Sequence, residues 1–112
     1  MAGPEHTLFI SDSMFVSLST FTIANDSNAN VHEAFKNRPH LVDGAPGFQR
    51  LEVLSPQDNP QEIWLLTYWD NEESFKTWYK SHQYQESHKG IPKDTQLVPG
   101  SVKIKYFTVV SN

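Results

Sequence analysis

Residues 63–91, with the sequence IWLLTYWDNEESFKTWYKSHQYQESHKGI, decide the fold because they pass directly from a strand into helices. The first part, residues 63–69, is apolar or aromatic on both faces of an extended chain, which predicts a strand covered on both sides. The period then changes, and Asp70 with Glu73 is typical of a capping pair at a helix start. The stretch therefore predicts a strand followed at once by a helix.

The helical part of this stretch is amphipathic and bends once. Phe75 and Trp78 are three residues apart, which places both aromatic rings on one face of the first helix. Ser81 offers a second N-cap for a further helical turn, in which Tyr84 and His88 lie four residues apart. We expect Trp78 and His88 to approach one cavity from two helical segments.

The composition indicates one acidic domain. The chain has 112 residues and a formal net charge of -4, so it lacks the basic footprint of a nucleic-acid binder. It has no cysteine, which excludes disulfides and thiolate chemistry. No basic, apolar leader begins the chain, and no run reaches the roughly 18 apolar residues of a membrane span. We expect a soluble cytoplasmic protein, without membrane or nucleic-acid partners, formed by an N-terminal extension (1–13) and one domain (14–112).

The rest of the chain supplies further strands and a first helix. In order, the periodicity predicts a strand over 14–23, a helix over 31–42 that Pro39 kinks or breaks, and strands over 48–54 and 102–109. The order β-α-β-β-α-β predicts an α+β ferredoxin-like fold, an antiparallel sheet with two helices on one face. The other face carries Val16, Leu18 and Leu66 and is too apolar for water. We expect a homodimer in which two such faces close an α+β barrel.

Several kinds of chemistry have no support in the sequence. His82 and His88 are six residues apart, which puts them on different sides of a helix, and no H-x-x-x-H pair indicates zinc. The G-x-S-x-G turn of many hydrolases is absent. Glycine-rich nucleotide-binding patterns are absent as well. What remains is a histidine among aromatic residues.

His88 has two interpretations. It caps the C-terminal end of a helix, where the dipole favours a cation, or its imidazole is an axial ligand to haem iron, with Trp78 and Phe75 lining an apolar slot. Ser17 and Ser19 leave space on the inner face of the first strand. Two such hydroxyls occur both on packed faces and in cavity walls, so the residues alone leave both interpretations open.

A family resemblance favours the haem interpretation. The segment TYWDNEESFKTWYKS (67–81), followed by His88, and the earlier APGF (45–48) resemble the antibiotic biosynthesis monooxygenase (ABM) superfamily, and within it the Isd-type haem-degrading monooxygenases. The likeness covers residues 14–110, and its most specific part is T-x-W, F-x-x-W and a histidine ten residues further on. The resemblance implies a dimer that binds haem as substrate and cofactor. It also implies opening of the porphyrin ring with dioxygen and an external electron donor, which releases iron.

The same resemblance assigns residues to the haem. Trp78 matches the tryptophan that presses on the haem and helps to distort it, and His88 matches the proximal iron ligand, which makes it the expected metal-binding residue. Phe75 is expected beside Trp78. The first helix would form part of the pocket wall, so Phe35 is expected to contact the haem and Arg38 to meet a propionate.

Ser19 is a departure from the family pattern. It falls where the family has a catalytic asparagine on the first strand, so we take it as the catalytic position there. A hydroxyl is shorter than an amide and has a different donor geometry, which predicts weaker or differently directed oxygen activation. Two alternatives therefore stay open: a cofactor-independent ABM-type oxygenase of an aromatic polyketide or quinol, and a haem-binding protein without enzymatic activity.

Overall fold

The computed structural model describes residues 14–87 and 92–112, so the predicted extension 1–13 and the candidate ligand His88 lie outside the described residues. Its elements, in chain order, are β1 (Phe15–Thr22), α1 (Asn28–Lys36), a 3-10 helix (Leu41–Gly44), β2 (Phe48–Leu54), β3 (Glu62–Trp69), α2 (Glu72–Tyr79), α3 (His82–Ser87) and β4 (Lys103–Thr108). All strand pairs are antiparallel, in the order β2-β3-β1-β4. This confirms the predicted α+β ferredoxin-like fold. None of the described helices has the length and apolar character needed to cross a membrane.

The first predicted helix is broken rather than kinked. α1 ends at Lys36, and the chain re-enters helical geometry only in the 3-10 helix, whose Val42 is buried. Pro39 causes the break because it lacks a backbone N–H and disfavours helical geometry at the residue before it. His40 then takes a left-handed conformation with φ 58°. The break turns the chain back over the sheet.

The start of α2 lies one residue later than the sequence predicted. Asn71, not Asp70, is the N-cap, and its Oδ1 accepts a hydrogen bond from the Ser74 backbone N–H at 2.9 Å. Asp70 instead accepts a hydrogen bond from the Gln49 side chain at 3.0 Å. The predicted cap at Asp70 is therefore wrong, because the backbone is still extended at Asn71 (φ -160°). The predicted second cap is confirmed, since Ser81 Oγ accepts from a backbone N–H of α3 at 3.2 Å.

These two neighbouring residues allow a direct test of the cap. Asn71→Ala is expected to lower the free energy of unfolding by about 1 kcal/mol, because it leaves an N–H of the first turn without its partner. Asp70→Ala removes only an exposed side-chain contact and is expected to have a smaller effect. Urea unfolding of both variants measures the difference. Equal losses would contradict the assignment of the cap.

The core lies between the sheet and the helices and forms two clusters. The first joins four buried residues of β1, the 3-10 helix, β3 and α2, namely Phe15, Val42, Trp69 and Trp78. The second contains Ile23, Val31 and Ile63, below α1.

Candidate active site

A cavity of about 660 Å³ occupies the space between the sheet and the helices. Its helical wall is aromatic and includes Phe75, Trp78 and Tyr84. On the opposite wall, β1 contributes Ser17 and Ser19 because these residues alternate inward along the strand. The cavity is therefore apolar on its helical wall and carries hydroxyls on its sheet wall.

Five of the residues predicted from the sequence line this one cavity. Ser19 reaches it from β1, Phe35 from α1, Arg38 from the segment after α1, and Phe75 and Trp78 from α2. They come from four separate parts of the chain, and only the tertiary fold brings them together.

The sixth predicted residue, His88, lies outside the described residues. It directly follows α3, the short helix that ends at Ser87. Tyr84, four residues before His88, lies in α3 and lines the cavity. The described part of this helix thus reaches the cavity, and the role of His88 stays a prediction.

Trp78 is the central residue of the aromatic wall. Its side chain is 8% exposed, and its ring meets that of Tyr84 edge to face at 6.1 Å between centroids. Burial raises the pKa of Tyr84, and its neighbour Tyr79 raises it further. Phe75 packs on Phe15 at 5.4 Å and also lines the cavity, so it serves both the core and the cavity wall. The side chains named here, Phe75, Trp78 and Tyr84, make this wall aromatic.

Among the sheet residues that line the cavity, Thr67 is a polar one that was not singled out from the sequence. Thr67 of β3 lines the cavity and is the direct cross-strand partner of Ser17. Its Oγ1 accepts a hydrogen bond from the indole N–H of Trp69 at 2.9 Å. The T-x-W spacing could have indicated this pair, because residues two apart share one face of a strand.

Arg38 lies at the rim of the cavity in a small ionic group. Its Nη1 is 3.2 Å from Asp43 Oδ1, and His40 Nδ1 is 3.1 Å from the other oxygen of that carboxyl group. Partial loss of solvent acts to raise the pKa of Asp43, but hydrogen bonds from His40 and Arg38 and their positive charge outweigh it, so this pKa lies below its ordinary value. The carboxylate fixes Arg38 beside the cavity. No three His, Asp or Glu side chains come together as a metal site within 14–87 and 92–112.

The fold and cavity define a small ferredoxin-like α+β domain with a cavity between its sheet and its helices, and comparison with known proteins gives the family. Residues 14–90 match the family model of antibiotic biosynthesis monooxygenases, and the chain belongs to this family. A heme oxygenase (staphylobilin-producing) from Staphylococcus saprophyticus is 37% identical over 80 residues, which cover 65% of this chain and 77% of that relative. A heme oxygenase (mycobilin-producing) from Mycobacterium tuberculosis is 24% identical over 63 residues, 56% of this chain and 60% of the relative.

Solved structures share the fold at lower sequence identity. The heme-degrader MhuD from Mycobacterium tuberculosis, with two hemes bound in its active site, superposes with a TM-score of 0.71 at 20% identity, over 88% of this chain and 97% of that one. SnoaB, a cofactor-independent oxygenase from Streptomyces nogalater, gives a TM-score of 0.70 at 14% identity, over 89% and 96% of the two chains. These likenesses establish the common architecture.

Proposed function

We propose that this chain is a haem-degrading monooxygenase that binds haem in the cavity and opens the porphyrin ring. The observation that carries the proposal is the convergence of Ser19, Phe35, Arg38, Phe75 and Trp78 on one cavity of about 660 Å³. The named activities of two curated relatives support it, because both are heme oxygenases.

The residues present fit a haem. Haem is a flat, largely apolar ring with two carboxylates on one edge, so it needs an apolar slot and a cation near the rim. The aromatic wall supplies the slot, and Arg38 supplies the cation. The buried hydroxyl of Thr95, which also lines the cavity, has no hydrogen-bond partner in the described structure. An unpaired buried hydroxyl is uncommon and is consistent with a wall that a ligand completes.

The chain's own residues would hold and shape the haem. Trp78 would press on the ring from the helical side, because its neighbours in the core prevent it from moving away. Arg38 would pair with a propionate, and the aromatic wall would exclude water from the ring. Bound haem supplies the iron that activates dioxygen with electrons from an external donor, and its own ring is the substrate. His88 is proposed as the iron ligand.

The homodimer is proposed to form through the outer face of the sheet. Leu18 and Leu66 are half-buried cross-strand partners on this face, and Val16, which is buried, lies on the same face of β1. The apolar area has a polar border: Arg50 stacks on Tyr68 at 3.8 Å from the ring centroid. Such an apolar centre with a polar rim is typical of protein interfaces.

A haemin titration tests the proposed function. Addition of haemin to the apo-protein is expected to give a saturable shift of the Soret band, and His88→Ala is expected to remove the shift. His82→Ala is the matched control, because His82 is exposed and pairs with Glu86 on α3 at 3.4 Å. Ascorbate and air are then expected to bleach the Soret band of the wild-type complex and to release iron to a ferrous chelator.

The outcomes separate the alternatives. Failure of haemin to bind would overturn the proposed function. Haemin that binds but stays intact under ascorbate and air would indicate a haem-binding protein without this activity. The observation that favours a cofactor-independent oxygenase is Ser19, which has a hydroxyl where the family pattern has the amide of asparagine. Oxygen uptake with an aromatic quinol in haem-free protein would support that function instead.

A further inference from the structure

Thr67 and Trp69 form a hydrogen-bonded pair whose direction is fixed. The indole nitrogen of Trp69 is a donor only, so the Thr67 oxygen must be the acceptor in their 2.9 Å contact. Trp69 is 0% exposed and packs in the core, which holds its N–H in place. A hydroxyl that accepts from a fixed donor directs its own hydrogen elsewhere.

The hydroxyl group of Thr67 borders the cavity. Thr67 lines the cavity, with Ser17 directly opposite on β1 and Ser19 one cavity-facing position further along that strand. Within residues 14–87 and 92–112, the only hydrogen bond of the Thr67 hydroxyl is the one it accepts from Trp69. Its donor is therefore available to a ligand. The three hydroxyls span about 7 Å of the sheet wall, as expected for two residue steps along a strand.

We propose that Thr67 is the hydrogen-bond donor that the sheet presents to a small anionic or oxygen-containing ligand at the haem iron, and that Trp69 is the residue that positions it. This inference rests on the proposed function. It also accounts for Ser19 in place of the family's asparagine. The hydroxyls of Ser17, Ser19 and Thr67, of which Trp69 orients the last, would together replace the longer asparagine side chain. If the pair had only a structural role, position 67 would need an acceptor for the Trp69 indole N–H but no hydrogen-bond donor.

Fluoride binding to the ferric haemin-loaded protein tests the donor, because fluoride is a small anion that accepts strong hydrogen bonds. Thr67→Val removes the hydroxyl and is expected to weaken fluoride binding by about 10- to 100-fold, the range for a hydrogen bond to a charged group. Thr67→Ser keeps acceptor and donor and is expected to stay within about threefold of wild type, since its hydroxyl can make both bonds. Thr77→Val is the matched control, because that hydroxyl donates to the Glu73 carbonyl on α2 at 3.0 Å, outside the cavity wall.

The role of Trp69 needs a variant that leaves the Thr67 hydroxyl in place. Trp69→Phe removes the indole N–H, so Thr67 loses its fixed direction, and fluoride binding is expected to weaken by about 3- to 10-fold, a fraction of the full bond. Thr67→Val leaves the Trp69 indole N–H without its acceptor, and if that variant fails to fold for this reason, Trp69→Phe still tests the proposal. Haemin affinity is measured separately for each variant by Soret titration, and fluoride is titrated at saturating haemin, so that fluoride binding is compared between fully loaded proteins.

The outcomes distinguish this inference from the proposed function. If the wild-type protein does not bind haemin, the proposed function itself is wrong. Haemin-loaded wild type without measurable fluoride binding would overturn the donor role of Thr67. Wild-type fluoride affinity in Thr67→Val would do the same, and wild-type affinity in Trp69→Phe would overturn the positioning role of Trp69.

Discussion

Trp78→Ala is expected to lower the free energy of unfolding by about 3–5 kcal/mol, the range for removing a buried aromatic side chain. Trp78 is 8% exposed and shares a core cluster with Phe15, Val42 and Trp69. The same change removes much of the helical wall of the cavity, so haemin binding is expected to weaken by about 30-fold or more, as for a central contact residue. Urea unfolding and Soret titration measure the two effects.

Trp78→Phe separates packing from contact with the haem. Phenylalanine keeps an apolar ring at this position, so haemin binding is expected to stay within about tenfold, a difference of about 1.4 kcal/mol. Ring opening under ascorbate and air is expected to slow by more than about tenfold, because in the proposed contact the smaller ring would press less on the haem. Trp64→Phe is the matched control, since Trp64 projects from the other face of the sheet. Wild-type ring opening by Trp78→Phe would contradict the proposed contact.

The parts of this fold that the sequence predicted well are those set by local periodicity. The strand before Asp70 and the two helices after it follow from a change of period within 63–91, and the structure confirms both the order and the bend at Ser81. Ser17 and Ser19 were expected on the inner face of the first strand, and they line the cavity. Alternation along a strand is a local property, so it is visible without tertiary contacts.

Features that depend on contacts between distant residues were less predictable. The cap moved from Asp70 to Asn71, because both residues are good caps and the choice depends on where β3 ends. The T-x-W spacing places Thr67 and Trp69 on one face of the strand, but whether the Thr67 hydroxyl borders a cavity depends on how the helices pack over the sheet. The link from Arg38 to Asp43 depends on the break at Pro39, whose extent the sequence did not define.

Gly47→Ala is expected to be among the most destabilising single changes in the chain outside the core. Gly47 has φ +82°, which costs a non-glycine residue about 1–2 kcal/mol. An added Cβ would also lie 2.6 Å from Ser74 Cβ, well inside contact distance, and overpacking of this kind costs about 1–3 kcal/mol. The Gly47 carbonyl accepts from the Asp70 N–H at 2.8 Å, so the turn cannot shift freely. Urea unfolding measures the total loss.

Two further glycines separate the two causes. Gly100 has φ +74° and nothing within 4 Å of an added Cβ, so Gly100→Ala is expected to show the backbone effect alone. Gly44→Ala has neither strain nor a contact and is expected to change stability by less than about 0.5 kcal/mol, as for ordinary surface positions. A loss in Gly47→Ala no larger than in Gly100→Ala would contradict a clash with Ser74.

The contact between Gly47 and Ser74 also connects the turn before β2 to the cavity. Ser74 and Trp78 are four residues apart on α2 and so share one face of the helix. If α2 moves away to relieve the clash in Gly47→Ala, Trp78 moves with it and haemin binding weakens. Adding Ser74→Gly is expected to restore haemin affinity and about 1–3 kcal/mol of stability, while the strain of the positive φ at position 47 remains. Haemin affinity that stays at the wild-type level in Gly47→Ala would show that the turn relaxes instead of α2.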